Sequence, residues 1–415
     1  MAWKVWFVPA QPNHVAKFQP VMDELRRRDC EIRVLCVDEA ISKPKHIRHM
    51  LKDVGWDFEM LRCDRFVVTG RWPIDFIQKA KLRRCVRRWL ASRDVDLLVL
   101  GTDSPIVTRE IVKEAQCQHV PRVHVHDGIC GGRNPRRNPG LLLRVRQFLS
   151  IRFKKTFDMR SPRGPRSADI FFLMDRSSIQ TMLKQGVPRS RLKVAGSPQL
   201  DALVRAADRP VPEEELQRIR DKVGAGPDRP ILLYAHQHIV YPRATTEELI
   251  RRMVAGLRRC NGTLLVKFHP SSGERVPEWQ AWARAEGFAP EEVVFALAGL
   301  LSPEAVRVCH ACVTAYSTVA LEAMIAHKPV ILMQYLPVPH FINWGETYGA
   351  AYDVFSHEEL QQAVFEVMVD PDVRRRLLRN ADECLRQEFG GLDGKSTERM
   401  GNYLLDLMRS YKEKE

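Results

Sequence analysis

Short apolar runs alternate with helix-like patterns along most of the chain. In its first half, six such runs are predicted to be strands: 4–10, 31–38, 95–101, 121–126, 169–174 and 192–197. The segment after the first run places an apolar residue every three or four positions, as one helical face does: Val15, Phe18, Val21, Met22 and Leu25. Strands separated by helices predict a parallel sheet with right-handed crossover connections.

The alternation pauses once and then restarts. Residues 205–229 are rich in proline, glycine and charge, a composition typical of a linker. Five further apolar runs follow it: 230–236, 263–269, 292–296, 311–315 and 329–333. The pattern predicts four parts: an N-terminal domain over 1–204, the linker over 205–229, a second domain over 230–385, and a C-terminal helical segment, 386–415, that packs across the domains.

Two α/β domains predict a ligand-binding cleft between the carboxyl ends of their sheets. The length of 415 residues suits two domains, and 45% apolar residues suffice for two large cores. No window reaches the roughly 18 consecutive apolar residues of a membrane span, and the N-terminus lacks the pattern of a signal peptide. Of the ten cysteines, Cys309 and Cys312 come nearest to a metal-type spacing, but they flank the start of an apolar strand and have no partner motif. We therefore expect reduced thiols in a cytoplasmic protein.

The net charge of +14 is concentrated in one segment. Residues 133–166 contain eleven Lys and Arg residues and one acid, Asp158. Turn-rich stretches flank a basic, amphipathic pattern in the segment 133–167, which predicts an element that binds an acceptor or an anionic membrane surface. A solvated basic loop or an ordinary surface helix is the alternative. The arginines proposed to make the contacts are Arg133, Arg136, Arg137, Arg144 and Arg152.

The second half carries a candidate phosphate site. One predicted strand ends at His269-Pro270, and another ends just before Ser317-Thr318, where a helix is predicted to begin. Free backbone N–H groups and the helix dipole both favour an anion at such a place. The two hydroxyls and His269 are therefore predicted to bind phosphate, although Ser317 would also serve as a simple N-cap. Glu322 follows one helical turn later, on the face of Thr318.

Other candidate residues follow predicted strands. Asp127 lies between His126 and Gly128 directly after a strand, so it is a candidate general base, with a turn-capping aspartate as the alternative. His126 is the second catalytic candidate, and Gly128 is a candidate for the cleft. The remaining candidates for the cleft come from several strand ends: Asn13, His14, Asp103, Ser197, His236 and His238. No spacing of His, Cys or acidic residues supports a metal site.

These motifs, in this order, resemble the GT-B superfamily. The likeness is greatest to the non-hydrolysing UDP-N-acetylglucosamine 2-epimerases, the CDP-glycerol polymerising transferases, and bacterial sialyl- and Kdo-type transferases. Five blocks carry the resemblance: QPNHVAKFQPVMDEL (11–25), GSPQLDAL (196–203), ILLYAHQH (231–238), KFHP (267–270) and AYSTVALEAMIAHKPVI (315–331). The resemblance implies two Rossmann-like domains with parallel sheets facing a central cleft. It also implies that Glu322 binds the ribose hydroxyls of a nucleotide.

The chain departs from the epimerases at the positions of their motifs. Their Arg-Pro-Glu is Gln-Pro-Asn at 11–13, and their Glu-Ala-Gly-Leu-Arg is His-Asp-Gly-Ile-Cys at 126–130. Their His-Arg-x-Glu-Asn is His-Gln-His-Ile-Val at 236–240, and their Ser-Gly-Gly is Ser-Thr-Val at 317–319. An epimerase needs acidic residues that remove and return a proton, and most of the acidic residues of the epimerase motifs are replaced in this chain. His126-Asp127-Gly128 instead resembles the acidic-Asp-Gly motif of sialyltransferase-like enzymes.

The sequence therefore predicts a glycosyltransferase. It would move a sugar from a nucleotide-activated donor to a surface-polysaccharide or lipid-linked acceptor, with the donor as co-substrate and no other cofactor or metal. We expect a cytoplasmic location, with the inner face of a membrane as an additional site, and we do not expect nucleic acid as a partner. The alternatives are a UDP-sugar 2-epimerase, a CDP-alcohol transferase of the glycerol-phosphate type, and a binding protein without catalysis.

Overall fold

A computed structural model provides the fold. It describes residues 2–11, 13–40, 47–63, 72–101, 106–126, 128, 167–184, 186–207, 209–226, 229–237, 242–269, 274–296, 300, 302–336, 343–390 and 392–413. The chain divides into two compact units, a first unit of Met1–Asp201 with Gly390–Glu415, and a second unit of Ala202–Phe389. Each unit contains one parallel sheet.

The first unit is built on a sheet of seven strands in the order β3-β2-β1-β4-β5-β6-β7. All neighbouring strands are parallel. Their bounds are β1 Lys4–Val8, β2 Glu31–Cys36, β3 Glu59–Met60, β4 Leu97–Leu100, β5 Arg122–Val125, β6 Ile170–Leu173 and β7 Leu192–Val194.

Helices cover both faces of this sheet. Along the chain they are α1 Asn13–Arg26, α2 Ile47–Asp53, α3 Trp72–Ala91, α4 Ile106–Cys117 and α5 Ser177–Lys184. Successive residues of β1 point to opposite faces: Phe7 joins the core formed with α1, and Trp6 joins the core formed with α3 and α4. Trp6 and Trp89 of α3 pack edge to face, with ring centroids 5.1 Å apart. This strict alternation explains why β1 is apolar on both sides.

The second unit contains six parallel strands in the order β10-β9-β8-β11-β12-β13. They are β8 Ile231–Ala235, β9 Thr263–Lys267, β10 Val293–Ala296, β11 Ala311–Thr314, β12 Val330–Met333 and β13 Tyr352–Val354. Its helices are α6 Asp201–Ala206, α7 Glu213–Val223, α8 Arg243–Arg258, α9 Val276–Ala285, α10 Ser302–Val308, α11 Val319–Ile325, α12 Trp344–Tyr348, α13 His357–Val369 and α14 Pro371–Glu388.

Helices α8 and α13 pack closely over one face of the second sheet. A Cβ atom at Gly256 would lie 2.6 Å from the Gln361 carbonyl oxygen, so only glycine allows this approach. Apolar residues of both helices enter the same core, among them Met253 and Val364, which are fully buried. This packing fixes the sheet whose carboxyl edge carries the candidate site.

All eleven strands predicted from the apolar runs are confirmed. Two short strands, β3 with two residues and β13 with three, were not predicted. The predicted fold class of two parallel α/β domains is confirmed as well. The proline-rich segment 205–229 contains helix α7, whose Ile219 is buried and which packs against α10 in the second unit.

A last helix, α15 (Ser396–Lys412), returns the chain to the first unit. Its Met400, Leu404 and Met408 join the core around α1. The buried Asp201 carboxylate accepts hydrogen bonds from the backbone N–H groups of Ser396, at 3.0 Å, and Thr397, at 2.8 Å. A residue almost two hundred positions away thus caps the start of α15.

The prediction that all cysteines are reduced was wrong for one pair. Cys63 and Cys85 form a disulfide, with Cα atoms 6.1 Å apart, that ties the segment after β3 to α3. The seven other described cysteines are free thiols, and five of them are buried. The sequence pattern does not predict this disulfide, because its two cysteines are 22 positions apart and belong to no recognisable motif.

Among the described residues, no helix is long and apolar enough to cross a membrane.

Candidate functional site

The carboxyl edge of the second sheet brings three predicted segments together. Strands β9, β8 and β11 are neighbours, and β8 and β11 flank the point where the strand order reverses. The register pairs Ala235 with Lys267 on one side and Tyr234 with Val313 on the other. Neighbouring strands lie about 4.8 Å apart, so the residues that follow these three strands share one small region. Open α/β sheets bind ligands at such a position.

Ser317 connects β11 to helix α11. Its backbone N–H donates to the Thr314 hydroxyl over 3.4 Å, and that hydroxyl donates to the Ala235 carbonyl over 3.0 Å. The Ser317 hydroxyl accepts from the backbone N–H of Val319 over 3.2 Å. This bond spans two residues and closes a turn before the helix, so Ser317 is not the N-cap that was predicted as its alternative role. Helix α11 begins at Val319, its N-cap is Thr318 without a side-chain capping bond, and the Thr318 side chain is exposed.

Glu322 on α11 is the most unusual group of this edge. The residue as a whole is half-buried, but its Oε2 atom is sequestered from solvent and has no hydrogen-bond partner in the part of the chain that the structure describes. Burial raises the pKa of this carboxyl to about 7, and the charge of Lys267 opposes the shift. A buried polar atom without a partner costs about 1–3 kcal/mol, so a ligand that donates to Oε2 would bind favourably.

Lys267 is a site residue that the sequence analysis did not single out. It is the last residue of β9, only 7% exposed, and interacts electrostatically with Glu322. Burial lowers the pKa of its ammonium group, and Glu322 opposes the shift. A lysine inside the otherwise apolar run 263–268 was the available signal, because an unpaired charge is rarely placed in a central strand.

His236 and His269 follow β8 and β9. His236 is buried against Phe268, with ring centroids 5.1 Å apart, and its Nε2 lies 3.3 Å from the Thr246 hydroxyl of α8. Burial lowers the pKa of His236 to about 4, and the neighbouring His269 lowers it further. His236 is therefore neutral at neutral pH and contributes hydrogen bonds rather than charge. The side chain of His269 is exposed.

The first unit has a corresponding edge at β1 and β4, where its own strand order reverses. The fully buried His14 accepts a hydrogen bond from the backbone N–H of Ala10 at its Nδ1 atom, over 3.0 Å. A Cβ atom at Gly101 would overlap the His14 ring, so this glycine makes room for the imidazole. These contacts hold the turn between β1 and α1 in place. Asn13, the first residue of α1, is exposed.

The loop after β5 is anchored on both sides of His126. The buried Lys17 donates from Nζ to the His126 carbonyl over 3.0 Å, and the His126 N–H donates to the Phe172 carbonyl over 2.9 Å. The His124 ring lies 5.6 Å from the His126 ring, and its Nε2 is 3.1 Å from the Gly101 carbonyl. Lys17 and His124 were also missed by the sequence analysis, since both fall inside elements with apolar patterns.

Two further predicted residues belong to this unit. Gly128 has a φ of 71°, a left-handed conformation that favours glycine. Ser197 is buried before a 3-10 turn at Pro198–Leu200, and its carbonyl, not its hydroxyl, accepts the bond from the Leu200 N–H. The remaining predicted residues lie outside the described part of the chain: Asp103, Asp127, Arg133, Arg136, Arg137, Arg144, Arg152, His238 and Pro270.

Within the described ranges, no group of three or more His, Cys, Asp or Glu side chains is arranged to hold a metal ion.

No protein-family model and no curated protein matches this sequence. Solved structures match along almost its whole length. The Neisseria meningitidis UDP-GlcNAc 2-epimerase bound to UDP-GlcNAc has a TM-score of 0.62 at 12% identity, over 97% of this chain and 100% of that one. A glycosyltransferase from Rickettsia africae has a TM-score of 0.62 at 9% identity, over 97% and 99%. Anabaena Alr3699/HepE in complex with UDP and glucose has a TM-score of 0.57 at 14% identity, over 96% and 100%.

The chain has the GT-B fold. The predicted resemblance to the GT-B superfamily is confirmed at the level of architecture. Because the identities are low, the comparison establishes the fold and leaves the reaction to be argued from the residues of the site.

Proposed function

We propose that this protein is a glycosyltransferase whose second unit binds a nucleoside-diphosphate sugar. The observation that carries the proposal is the presence of two buried and electrostatically interacting groups, the Glu322 carboxyl and the Lys267 ammonium group, at the reversal point of the second sheet. A buried carboxylate oxygen without a hydrogen-bond partner and a desolvated ammonium group are both costly for folding. A nucleotide has hydroxyl donors and phosphate oxygens that complement the two groups.

Each residue of this edge has a role in the proposal. Glu322 accepts hydrogen bonds from the ribose hydroxyls. Lys267 and His269 lie near the diphosphate and stabilise the negative charge that develops when it leaves. Ser317 orients the turn whose backbone N–H groups contact phosphate. His236, neutral at neutral pH, supports this arrangement through Thr246 and Phe268.

The proposed reaction is transfer to an acceptor hydroxyl. The acceptor oxygen forms a bond to the anomeric carbon of the sugar, the bond from that carbon to the diphosphate oxygen breaks, and the diphosphate leaves with the electron pair. Asp127 is proposed to take the acceptor proton as general base. The anchoring of His126 by Lys17 supports this assignment, because it restrains the backbone immediately before Asp127.

Uridine diphosphate is the nucleotide favoured by the fold comparison. The Neisseria structure contains UDP-GlcNAc, and the Anabaena structure contains UDP and glucose. Transfer is favoured over epimerisation because this chain lacks most of the acidic residues of the epimerase motifs. We therefore propose a UDP-sugar donor and an acceptor of the polysaccharide or lipid-linked class.

Thermal unfolding in the presence of UDP, CDP and CMP tests the nucleotide site. A ligand at 100 times its Kd stabilises the folded state by about 2.7 kcal/mol, and we expect this with UDP. Glu322→Gln is expected to weaken UDP binding roughly tenfold, because it removes a charged acceptor. The matched control is Glu358→Gln, since the Glu358 side chain is 73% exposed on the same unit. If no nucleotide stabilises the protein, the proposal is wrong.

Product analysis then separates the two reactions. Incubation of the protein with a UDP-sugar and candidate acceptors should release UDP only when an acceptor is present. Asp127→Asn should retain UDP binding and abolish this release. Formation of a C2 epimer without release of UDP would instead establish the epimerase alternative.

A further inference from the structure

One side of helix α3 exposes apolar residues to solvent. Ile74, Phe76 and Ile77 are 40%, 61% and 56% exposed. Only six large hydrophobic side chains of the described residues are exposed to this degree, and half of them lie in this single helical turn. Scattered exposed apolar residues are ordinary, but a cluster of this kind marks an interaction surface.

Cations continue the same side of the helix. Lys81, Arg84 and Arg88 follow Ile77 after four, seven and eleven residues, which places all four on one face. The stripe from Ile77 to Arg88 extends over about 17 Å. The three cations are exposed and form no ion pair with another residue in the described ranges.

The other basic residues of α3 are used differently. Arg87 pairs with Glu114 of α4 at 2.9 Å, and Arg83 pairs with the same carboxylate. Lys79 lies 3.8 Å from Glu110 of α4. These pairs attach α3 to the first unit, whereas no acid of the described residues forms an ion pair with Lys81, Arg84 or Arg88.

A groove runs beside this stripe. It has a volume of about 1140 Å³ and lies between α3 and residues 58–63, which the Cys63–Cys85 disulfide holds together. Leu61 and Trp89 contribute apolar surface to it, and Arg62 adds an exposed cation to the wall opposite the stripe. The surface therefore combines apolar side chains with positive charge on both sides of a groove.

We propose that this α3 surface, formed by Arg62, Ile74, Phe76, Ile77, Lys81, Arg84 and Arg88, docks onto a lipid bilayer that contains anionic phospholipids. Cations alone would also suit a nucleic acid. The exposed apolar turn favours the bilayer instead. Transfer of Ile and Phe side chains from water into the acyl-chain region is favourable, and the cations can contact headgroup phosphates at the same time. None of these residues belongs to the segment 133–167, and the proposal does not depend on the reaction of the second unit.

Co-sedimentation of the full chain with vesicles tests the proposal. Vesicles of phosphatidylcholine with 30% phosphatidylserine, about the anionic fraction that gives an appreciable surface potential, are compared with pure phosphatidylcholine. The protein should bind the first and not the second. Arg84→Gln with Arg88→Gln should weaken binding roughly 25-fold, since each basic residue near an anionic surface contributes about fivefold. Ile74→Ser with Ile77→Ser should weaken it roughly tenfold.

A charge-matched control uses Arg376→Gln with Arg379→Gln, which removes two exposed cations from α14 instead. Vesicle binding of this variant should stay within about twofold of the wild-type protein, allowing for the small long-range effect of net charge. Circular dichroism and thermal unfolding verify that each variant is folded, which is expected because all four altered α3 residues are exposed.

Three outcomes would overturn the proposal. The first is no binding to anionic vesicles. The second is an equal loss of binding in the α3 variants and the α14 control, which would show a net-charge effect or another attachment region. The third is binding of a short DNA duplex that depends on Arg84 and Arg88 while vesicles are not bound. UDP stabilisation is measured on the same samples, so failure here is distinguishable from failure of the proposed function.

Discussion

Glu322 illustrates how much a single side chain depends on its surroundings. Its position four residues after Thr318 follows from the sequence, but its protonation does not. Burial by the strands and helices around it raises its pKa to about 7, close to the pH at which an enzyme operates. The same residue can thus accept a hydrogen bond from a ligand or hold a proton, and small changes in its environment decide between the two.

The raised pKa of Glu322 predicts a pH-dependent effect of Glu322→Gln on stability. Between its ordinary pKa of 4.5 and its folded pKa of about 7, the unfolded chain is ionised here while the folded protein keeps the proton. The unfolded state then binds fewer protons, so the free energy of unfolding falls as pH rises. The free energy of unfolding of the glutamine variant should therefore exceed that of the wild-type protein, by less than about 1 kcal/mol at pH 5 and by about 3 kcal/mol at pH 8.

Urea unfolding at the two pH values measures this difference. Glu358→Gln serves again as the control, and its effect on stability should be the same at both pH values. A Glu322→Gln effect that does not grow between pH 5 and pH 8 would contradict the raised pKa and weaken the argument for a ligand at this carboxylate.

At the scale of elements, the Cys63–Cys85 disulfide is the feature of the first unit that the sequence analysis missed. It connects the segment after the two-residue strand β3 to the middle of α3. Such a short edge strand has few ladder hydrogen bonds, so a covalent link to a packed helix helps to keep it in place. The apolar face of α3 then holds both elements against the sheet through Leu82, Val86 and Trp89.

We predict that removal of the disulfide lowers the free energy of unfolding under oxidising conditions and has little effect under reducing conditions. The Cys63→Ser with Cys85→Ser variant should lose about 3 kcal/mol relative to the oxidised protein, from the closure entropy of a loop of roughly 20 residues. With a strong reductant, the variant and the wild-type protein should unfold at similar urea concentrations. Cys117→Ser, which alters an exposed free thiol, should have no effect under either condition. Equal stability of all three oxidised proteins would mean that the bond contributes nothing.

At the scale of the molecule, the chain ends in the unit where it began. Helix α15 completes the core around α1, although the whole second unit lies between them in sequence. The Asp201 carboxylate holds the start of α15 through three hydrogen bonds from Ser396 and Thr397. Asp201, at the boundary between the units, therefore contributes to the stability of the first unit together with the apolar packing of α15.

Asp201→Ala should loosen α15 and the first unit. Three donors lose a charged acceptor, and we expect a loss of about 2–4 kcal/mol in the free energy of unfolding of this unit. Hydrogen exchange should increase over Ser396–Lys412 and Asn13–Arg26 and stay unchanged over β8, β9 and β11. Asp406→Ala removes an acid that is 69% exposed on the same helix and should leave exchange as it is. Faster exchange throughout both units would contradict the assignment of α15 to the first unit alone.

The sequence by itself determined eleven of the thirteen described strands, the division into two α/β halves and the residues at most strand ends. These properties follow from local patterns: a buried central strand is apolar over most of its length, and polar residues follow where the strand ends. Strands β3 (Glu-Met) and β13 (Tyr-Asp-Val) lack such an apolar run, and pairing with β2 and β12 is what makes them strands.

The tertiary structure decided which of these residues act on one another. Each of these interactions involves residues far apart in the chain. They are the electrostatic interaction of Lys267 with Glu322, the burial that keeps His236 neutral, the hydrogen bond from Lys17 to His126, the Cys63–Cys85 disulfide and the packing of α15 in the first unit. Their physical cause is burial and desolvation by elements that come together only on folding, so no local pattern contains them. The division among the cations of α3 has the same origin, because only the packing of α4 neutralises Arg83 and Arg87 and leaves Arg84 and Arg88 exposed.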